Sequence, residues 1–425
     1  MEVLVLRQLD PAAPARLRAA DGSPAITGWA LDPLIRHLNH GSFGGVPNVA
    51  LAYQQAVRAQ MESAPVAWFP PLPQRIAGVR GQLAPMLEIE PDRLALVPNA
   101  SGGASVVFNS IQLSDGAEVL VTDHGYGAVT MGAARAARRV RGQLRVANVP
   151  LEADEDASFD AVWAAVTDRT ELIVIDHITS PTARRLPVGR ICAAARARGI
   201  LTLVDGAHAP MMLPTAIADA DADFWVGNLH KYGCAPRGTA VLIARPEVAD
   251  LVYPLIDSWG GDLEYPERFD HQGTVDLTSW LAAPTALHYI EDTFGWDRVR
   301  SYTSDLAAWA QASIVDALSR SFGVDCSVEV GMPIGPIRLV KVPAPLAAAH
   351  LSANGLRDRM IAEAGIETAF TSFAGQGYFR LSAHAYNTTD DYIDFIERAI
   401  PLLVKWAHES NPEPPTINPE ERREQ

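Results

Sequence analysis

Lys231 closes the run Asp223-Phe-Trp-Val-Gly-Asn-Leu-His-Lys-Tyr-Gly233, whose apolar stretch breaks at Gly227-Asn228 and delivers an amine into a polar, glycine-flanked turn. An amine at the tip of a buried strand can form an imine with an aldehyde, and Lys231 is read as such a Schiff-base lysine. Upstream, Leu201-Thr-Leu-Val-Asp205 has the same construction with an acid at its tip, and His208 follows three residues later. A carboxylate there can hold the proton of a pyridinium nitrogen, so an acidic and a basic strand tip together suit a pyridine aldehyde cofactor. A lone lysine after a strand is a solvated charge. Asp205, His208 and His230 crowded around Lys231 change that balance, because burial-prone ionisable groups are costly unless something binds them.

Two further stretches carry chemistry. Asn99-Ala-Ser-Gly-Gly-Ala-Ser105 follows one apolar run and opens a helical one, so its backbone N–H groups and hydroxyls can cradle a phosphate at the positive end of a helix dipole. It is neither the dinucleotide glycine pattern nor a lysine-bearing phosphate loop, and it also reads as a simple capped turn. Arg380 sits among apolar neighbours in a short strand, where an unpaired guanidinium is costly and a bidentate substrate carboxylate would satisfy it.

The elements that must position these residues alternate between about 92 and 245. Leu94–Val97, Glu118–Val121, Leu144–Val149, Leu172–Ile175, Leu201–Val204, Phe224–Val226 and Thr239–Ile243 are strand candidates, with Ala- and Arg-rich helices such as Ala128–Val140 and Val188–Arg198 between them. This pattern predicts an α/β fold with a mostly parallel, doubly wound sheet. The last connection is short and carries no helix, so its two strands are expected to pair antiparallel. Residues 1–35 form a proline-broken arm draped over the rest, 36–300 a large domain whose first part, 36–90, lies near the substrate side, and 301–410 a smaller C-terminal α/β domain. In the smaller domain a helix over Ser304–Arg320 precedes strands at Ile337–Val340, Ile366–Ala369 and Tyr378–Leu381, and a helix over Asp390–His408 closes it. The last fifteen residues, 411–425, hold four prolines and six charges and read as a mobile tail.

Composition narrows the function. The chain has 425 residues, 48% of them hydrophobic and 20% charged, enough for a large core. A net charge of −15 argues against nucleic acid and anionic membrane surfaces, and the basic run Arg135–Arg145 reads as the solvated face of a helix. No apolar run is long enough to span a bilayer, and the N-terminus lacks a secretory pattern. Cys192, Cys234 and Cys326 are odd in number and widely spaced, a reduced, cytoplasmic pattern without zinc spacing, and no metal is expected.

Asn99-Ala-Ser-Gly, Asp205-Gly-Ala-His-Ala-Pro, Asn228-Leu-His-Lys-Tyr-Gly and Leu38-Asn-His-Gly-Ser-Phe-Gly44 together resemble the isopenicillin N epimerase-like branch of the class V aminotransferases, which are fold type I enzymes dependent on pyridoxal 5′-phosphate (PLP). His177-Ile-Thr-Ser-Pro-Thr182 and Phe379-Arg-Leu-Ser-Ala-His-Ala-Tyr-Asn-Thr388 agree in order and spacing, and the resemblance runs from about 36 to 405. It implies a homodimer with the cofactor between the lobes. Lys231 would hold PLP and then act as base at Cα; Asp205 would pair with the pyridine nitrogen and His208 with the phenolic oxygen. Ser101, Gly102, Gly103, Asn228 and His230 would bind the phosphate, with Thr274 arriving from the partner subunit. Tyr126 is placed where the family stacks an aromatic ring on the cofactor, or is a half-buried tyrosine at a helix start; His124 is a second candidate for that place. Asn39 and His40 would approach the substrate side or shape a loop, and His177 and Ser180 would contact the substrate or support those that do.

A Cα carbanion has four fates: epimerisation, elimination, transamination, or decarboxylation in place of proton loss. Desulfuration is set aside because Thr371-Ser-Phe-Ala-Gly-Gln-Gly377, where the family carries a nucleophilic cysteine, has none. Elimination from a cysteine S-conjugate, in bacterial antibiotic or other secondary metabolism, is the expected reaction, since it needs only Lys231 and a leaving group. Epimerisation is the alternative and requires a second acid that the sequence does not identify. A DNA-binding regulator on this fold is disfavoured by the short arm and the negative charge.

Overall fold

In the computed structural model the described residues are 12–349 and 353–409, so the tail at 411–425 lies outside them. The strands run in chain order as β1 (Arg36–His37), β2 (Leu94–Val97), β3 (Glu118–Thr122), β4 (Gln143–Ala147), β5 (Thr170–Asp176), β6 (Leu201–Asp205), β7 (Phe224–Asn228) and β8 (Ala240–Ala244). The smaller C-terminal lobe adds β9 (Ile337–Lys341), β10 (Ile366–Glu367), β11 (Ala369–Phe373) and β12 (Gln376–Ser382).

The central sheet has seven strands in the order β2-β8-β7-β6-β5-β3-β4. Its interior strands are buried on both faces, which is why β5 to β8 are nearly continuous apolar runs. β8 is antiparallel to both β7 and β2, and the other pairings are parallel. The expected antiparallel pair at the lysine is therefore present. Its connection, from Leu229 to Thr239, is too short for a crossover helix and is used to present Lys231.

The smaller sheet, β11-β12-β9, is antiparallel, and β1 pairs in parallel with β10, tying the chain just after the arm to the C-terminal lobe. The single strand expected at Ile366–Ala369 is thus two, divided at Thr368, because its halves pair with different partners. The helix expected from Ser304 begins eight residues earlier, at Trp296, after Gly295 at φ +76 ends the preceding helix. Of the helices that periodicity did not single out, Thr278–Phe294 packs against both Asn48–Ser63 and Leu72–Met86 on the large lobe. The described part of the arm buries Leu17, Ala25 and Trp29; the Trp29 indole stacks on Phe294 and meets Tyr386 edge-on.

Candidate active site

Strand tips and two turns enclose a cavity of about 300 Å³. Lys231 enters from the turn after β7, Asp205 from the tip of β6 and Asp176 from the tip of β5. Lys231 Nζ lies 3.1 Å from His208 Nε2. Burial, then the Arg380 guanidinium, pulls the lysine down to about 8, with Asp205 and Asp176 opposing. Burial likewise holds His208 well below the usual imidazole range, so it accepts from the lysine as a neutral ring, and its buried Nδ1 has no partner. Asp205 is 2% exposed and raised by burial, although its Oδ1 accepts the Ala207 N–H at 3.0 Å.

The opposite end is the start of helix Ala100–Ser110. Asn99 caps it, accepting the Gly102 N–H at 2.8 Å, and the Gly103 N–H is taken by the Asn99 carbonyl. Of the three residues expected there, only Ser101 lines the cavity. Gly102 and Gly103 do not line the cavity, and their amides bond within the helix start. Gly103 is required for another reason: a Cβ would come within 2.7 Å of Val226 Cγ1 on β7, so the helix start sits against the lysine-bearing strand. Asn228 Oδ1 accepts the Ala100 N–H at 2.8 Å and lines the cavity, as does His230, whose Nδ1–H donates to the Thr239 carbonyl at 2.9 Å.

Arg380 is 4% exposed. It donates to the Ser180 carbonyl at 2.7 Å, Ser180 Oγ at 3.0 Å, Asn39 Oδ1 at 3.2 Å and Ser42 Oγ at 3.1 Å. Among the described residues no carboxylate lies within ion-pair distance of it, and its buried Nε has no partner. A buried, oriented guanidinium held only by neutral oxygens is a receptor for an anion.

Other expected contacts fall elsewhere. Asn39 spends both ends of its amide on protein, accepting from Arg380 and donating to the Thr368 carbonyl at 3.1 Å, so it positions the guanidinium. His40 is stacked 3.9 Å from His384 with its nitrogens on the Lys231 carbonyl and Tyr386 Oη, each at 3.0 Å; it braces the lysine turn from behind and does not line the cavity. The nearby turn is close enough that a Cβ on Gly44, at φ +69, would lie 2.1 Å from the His230 carbonyl oxygen. His177, 1% exposed, accepts from Trp225 Nε1 at 3.5 Å; successive residues alternate across a strand, so Asp176 takes the cavity side.

Tyr126 lines the cavity at 45% exposure, whereas His124 is fully buried between Thr182 and the Val149 carbonyl. Thr274 is exposed and does not line its own chain's cavity. Ser42, Phe43 and Asp176 are lining residues that sequence reasoning missed; Asp176 had a signal, an acid ending an apolar strand just as Asp205 does. Cys326 is buried and its thiol raised, against a nucleophilic role. The structure also gathers His40, Cys234 and His384 within 4.8 Å, but both His40 nitrogens are already engaged.

A parallel sheet presenting a buried lysine opposite an acid, beside a helix N-terminus and an arginine without a counter-ion, defines a fold type I PLP enzyme. The sequence pattern described as Aminotransferase class-V matches residues 71–394, and the chain belongs to that family, whose members depend on PLP. It is 30% identical over 408 residues to isopenicillin N epimerase of Streptomyces clavuligerus, covering 91% of this chain and 100% of that protein. It is 23% identical to hercynylcysteine sulfoxide lyase of Schizosaccharomyces pombe, covering 86% and 93% of the two chains. The structure of a lysine-to-alanine mutant of C-DES with glycine covalently linked to its PLP superposes with a TM-score of 0.73 at 18% identity, over 90% of this chain and 99% of that one. The residues present fit the cofactor: Asp205 and His208 Nδ1 are buried polar groups with no side-chain partner for the ring to displace, and Lys231 is a partly neutral amine at neutral pH.

Proposed function

We propose that this protein removes the Cα proton of an amino-acid substrate and expels a sulfur-linked group from its β-carbon, acting as a C–S lyase on a cysteine S-conjugate. PLP, when bound, supplies the electron sink for that carbanion. Lys231 would hold the cofactor and serve as the base at Cα; with its pKa near 8, far below an ordinary lysine, a minor but usable fraction of the amine is neutral at physiological pH. His208 orients the amine through the 3.1 Å contact, and Asp205, lining the same cavity, would pair with the ring nitrogen. Ser101, Asn228 and His230 hold the phosphate at the helix start. Arg380, fixed by Ser180, Asn39 and Ser42, clamps the substrate carboxylate and so aligns the Cα–H bond toward Lys231. Arg380, buried, without a counter-ion among the described residues and near enough to lower Lys231, although it does not itself line the cavity, is the observation that carries the proposal.

Elimination is favoured over transamination or decarboxylation because it asks for one base at Cα and a leaving group, and the sulfoxide lyase named above is a relative over most of its length. Epimerisation is the second reading, supported by the full-length similarity to isopenicillin N epimerase. The proposal includes a second copy of the chain that brings Thr274 to the phosphate. The exposed Thr274 and the exposed apolar side chains of Trp259 (95%) and Phe43 (68%) support that arrangement. Among the described residues no helix is long and apolar enough to cross a membrane.

The test incubates the PLP-loaded protein with cysteine S-conjugates in deuterated water. Free thiol and pyruvate in equal amounts are expected, with no product from Lys231→Ala. Deuterium at Cα with inverted configuration and no cleavage would sink the lyase in favour of the epimerase.

A further inference from the structure

Asp176 and Asp205 end neighbouring parallel strands and are register partners, so their side chains point to the same face of the sheet. Both line the cavity, at 5% and 2% exposure, and among the described residues neither forms an ion pair with a basic side chain. Asp176 Oδ2 lies under the turn that carries Tyr126; a Cβ on Gly125 would sit 3.7 Å from it. The groups facing Asp176 are therefore Asp205 on β6, the Tyr126 backbone N–H after β3 and, across the cavity, the Lys231 amine. Two carboxylates side by side in a water-poor site cannot both ionise. PLP chemistry has an assigned use for Asp205 and none for Asp176.

We propose that Asp176 is a positioning residue, a carboxylic acid that shares one proton with Asp205 and so limits the pair to a single negative charge facing the cofactor's ring nitrogen and Lys231. This rests on the PLP reading above. Burial, then the Asp205 carboxylate, pushes Asp176 well above the usual range, in keeping with that proton. The consequence falls on the lysine. Both carboxylates oppose the fall of the lysine to about 8, so a proton on Asp176 removes one of those two opposing charges and favours the neutral amine as nucleophile and base.

The experiment follows the absorbance band of the lysine-bound cofactor against pH in wild-type holoenzyme, Asp176→Asn and Asp176→Ala. Asparagine keeps a neutral donor toward Asp205, so the titration midpoint should stay within ~0.3 pH unit of wild type. Alanine removes the donor toward Asp205 but leaves the same single negative charge, so its midpoint should rise by no more than ~0.5 unit. Difference infrared spectra at pH 8 should show a protonated carboxyl band in wild type that Asp176→Asn lacks. A fall of ~1 unit or more in Asp176→Asn means that a charge was removed and overturns the assignment. So does a fall of that size in the alanine variant, or the absence of the infrared band. Wild-type protein with no cofactor band after loading would overturn the PLP reading together with this assignment, while a band with the wrong shifts overturns this assignment alone.

Discussion

Arg380 shows how a single residue gains meaning from what is missing around it. Four hydrogen bonds to neutral oxygens orient the guanidinium without neutralising it, and the same charge helps depress Lys231. Arg380→Gln should therefore do two separable things. Loss of the charged hydrogen bonds to substrate should cost about 1.5–3 kcal/mol, roughly 10- to 150-fold in kcat/KM. Loss of the neighbouring cation should also let the lysine pKa climb. The amine must be neutral to capture an aldehyde, so PLP reloading of the wild-type apoprotein should accelerate as pH rises through about 8 and then level off. In Arg380→Gln that profile should move to higher pH. Stopped-flow absorbance across pH 6.5 to 10 would read it, and an unmoved profile would mean that Arg380 does not act on the lysine.

At the scale of elements, the proposed site depends on helix Ala100–Ser110 lying hard against β7, since one would carry the phosphate end and the other leads into Lys231. Gly103→Ala should force a Cβ into Val226 and cost about 1–3 kcal/mol as overpacking, seen as a lowered thermal midpoint. It should also weaken PLP affinity at least as strongly as Ser101→Ala, although the Gly103 side chain position does not face the cavity. Unchanged affinity would show that the helix start shifts without moving its N-terminus. Much of this level was legible in sequence: the seven central strands, the antiparallel exception and the cap at Asn99 follow from apolar runs, connection length and turn chemistry. Partner choice was not legible. The division of Ile366–Phe373 at Thr368 depends on β1 and β12, hundreds of residues and a handful of residues away respectively, and local pattern carries no information about either.

For the molecule as a whole, ionisable groups buried in their neutral forms tie stability to pH. Burial takes His177 and His384 down to about 4, so between the ordinary imidazole value near 6.5 and about 4 the unfolded chain binds protons that the folded chain refuses. Folded-state stability thus falls as pH falls through that window, with each histidine contributing a slope of about 1.4 kcal/mol per pH unit. Asp270, raised to about 6 by burial against the opposing pull of Arg80, works the other way below pH 6, because there the folded state holds the extra proton. The clean comparison is a variant. His177→Asn, which can still accept from Trp225, should flatten the wild-type dependence by about 1.4 kcal/mol per unit in urea titrations between pH 6.5 and 4.5. Equal slopes would mean that His177 is protonated in the folded protein.

The sequence by itself determined the chemistry at the strand tips. Lys231, Asp205, His208, His230 and Arg380 could be singled out because each is a polar residue where an apolar run ends or beside one; the phosphate roles of Ser101, Asn228 and His230 came from the resemblance to the class V family. Only the tertiary structure decided which neighbours of those residues face the cavity. It turned His177 toward Trp225, set His40 behind the lysine turn, spent the Gly102 and Gly103 amides on a helix cap and brought Asp176 level with Asp205. The reason is physical: side-chain direction at a strand end depends on register with the next strand, and register is a property of pairing between distant segments.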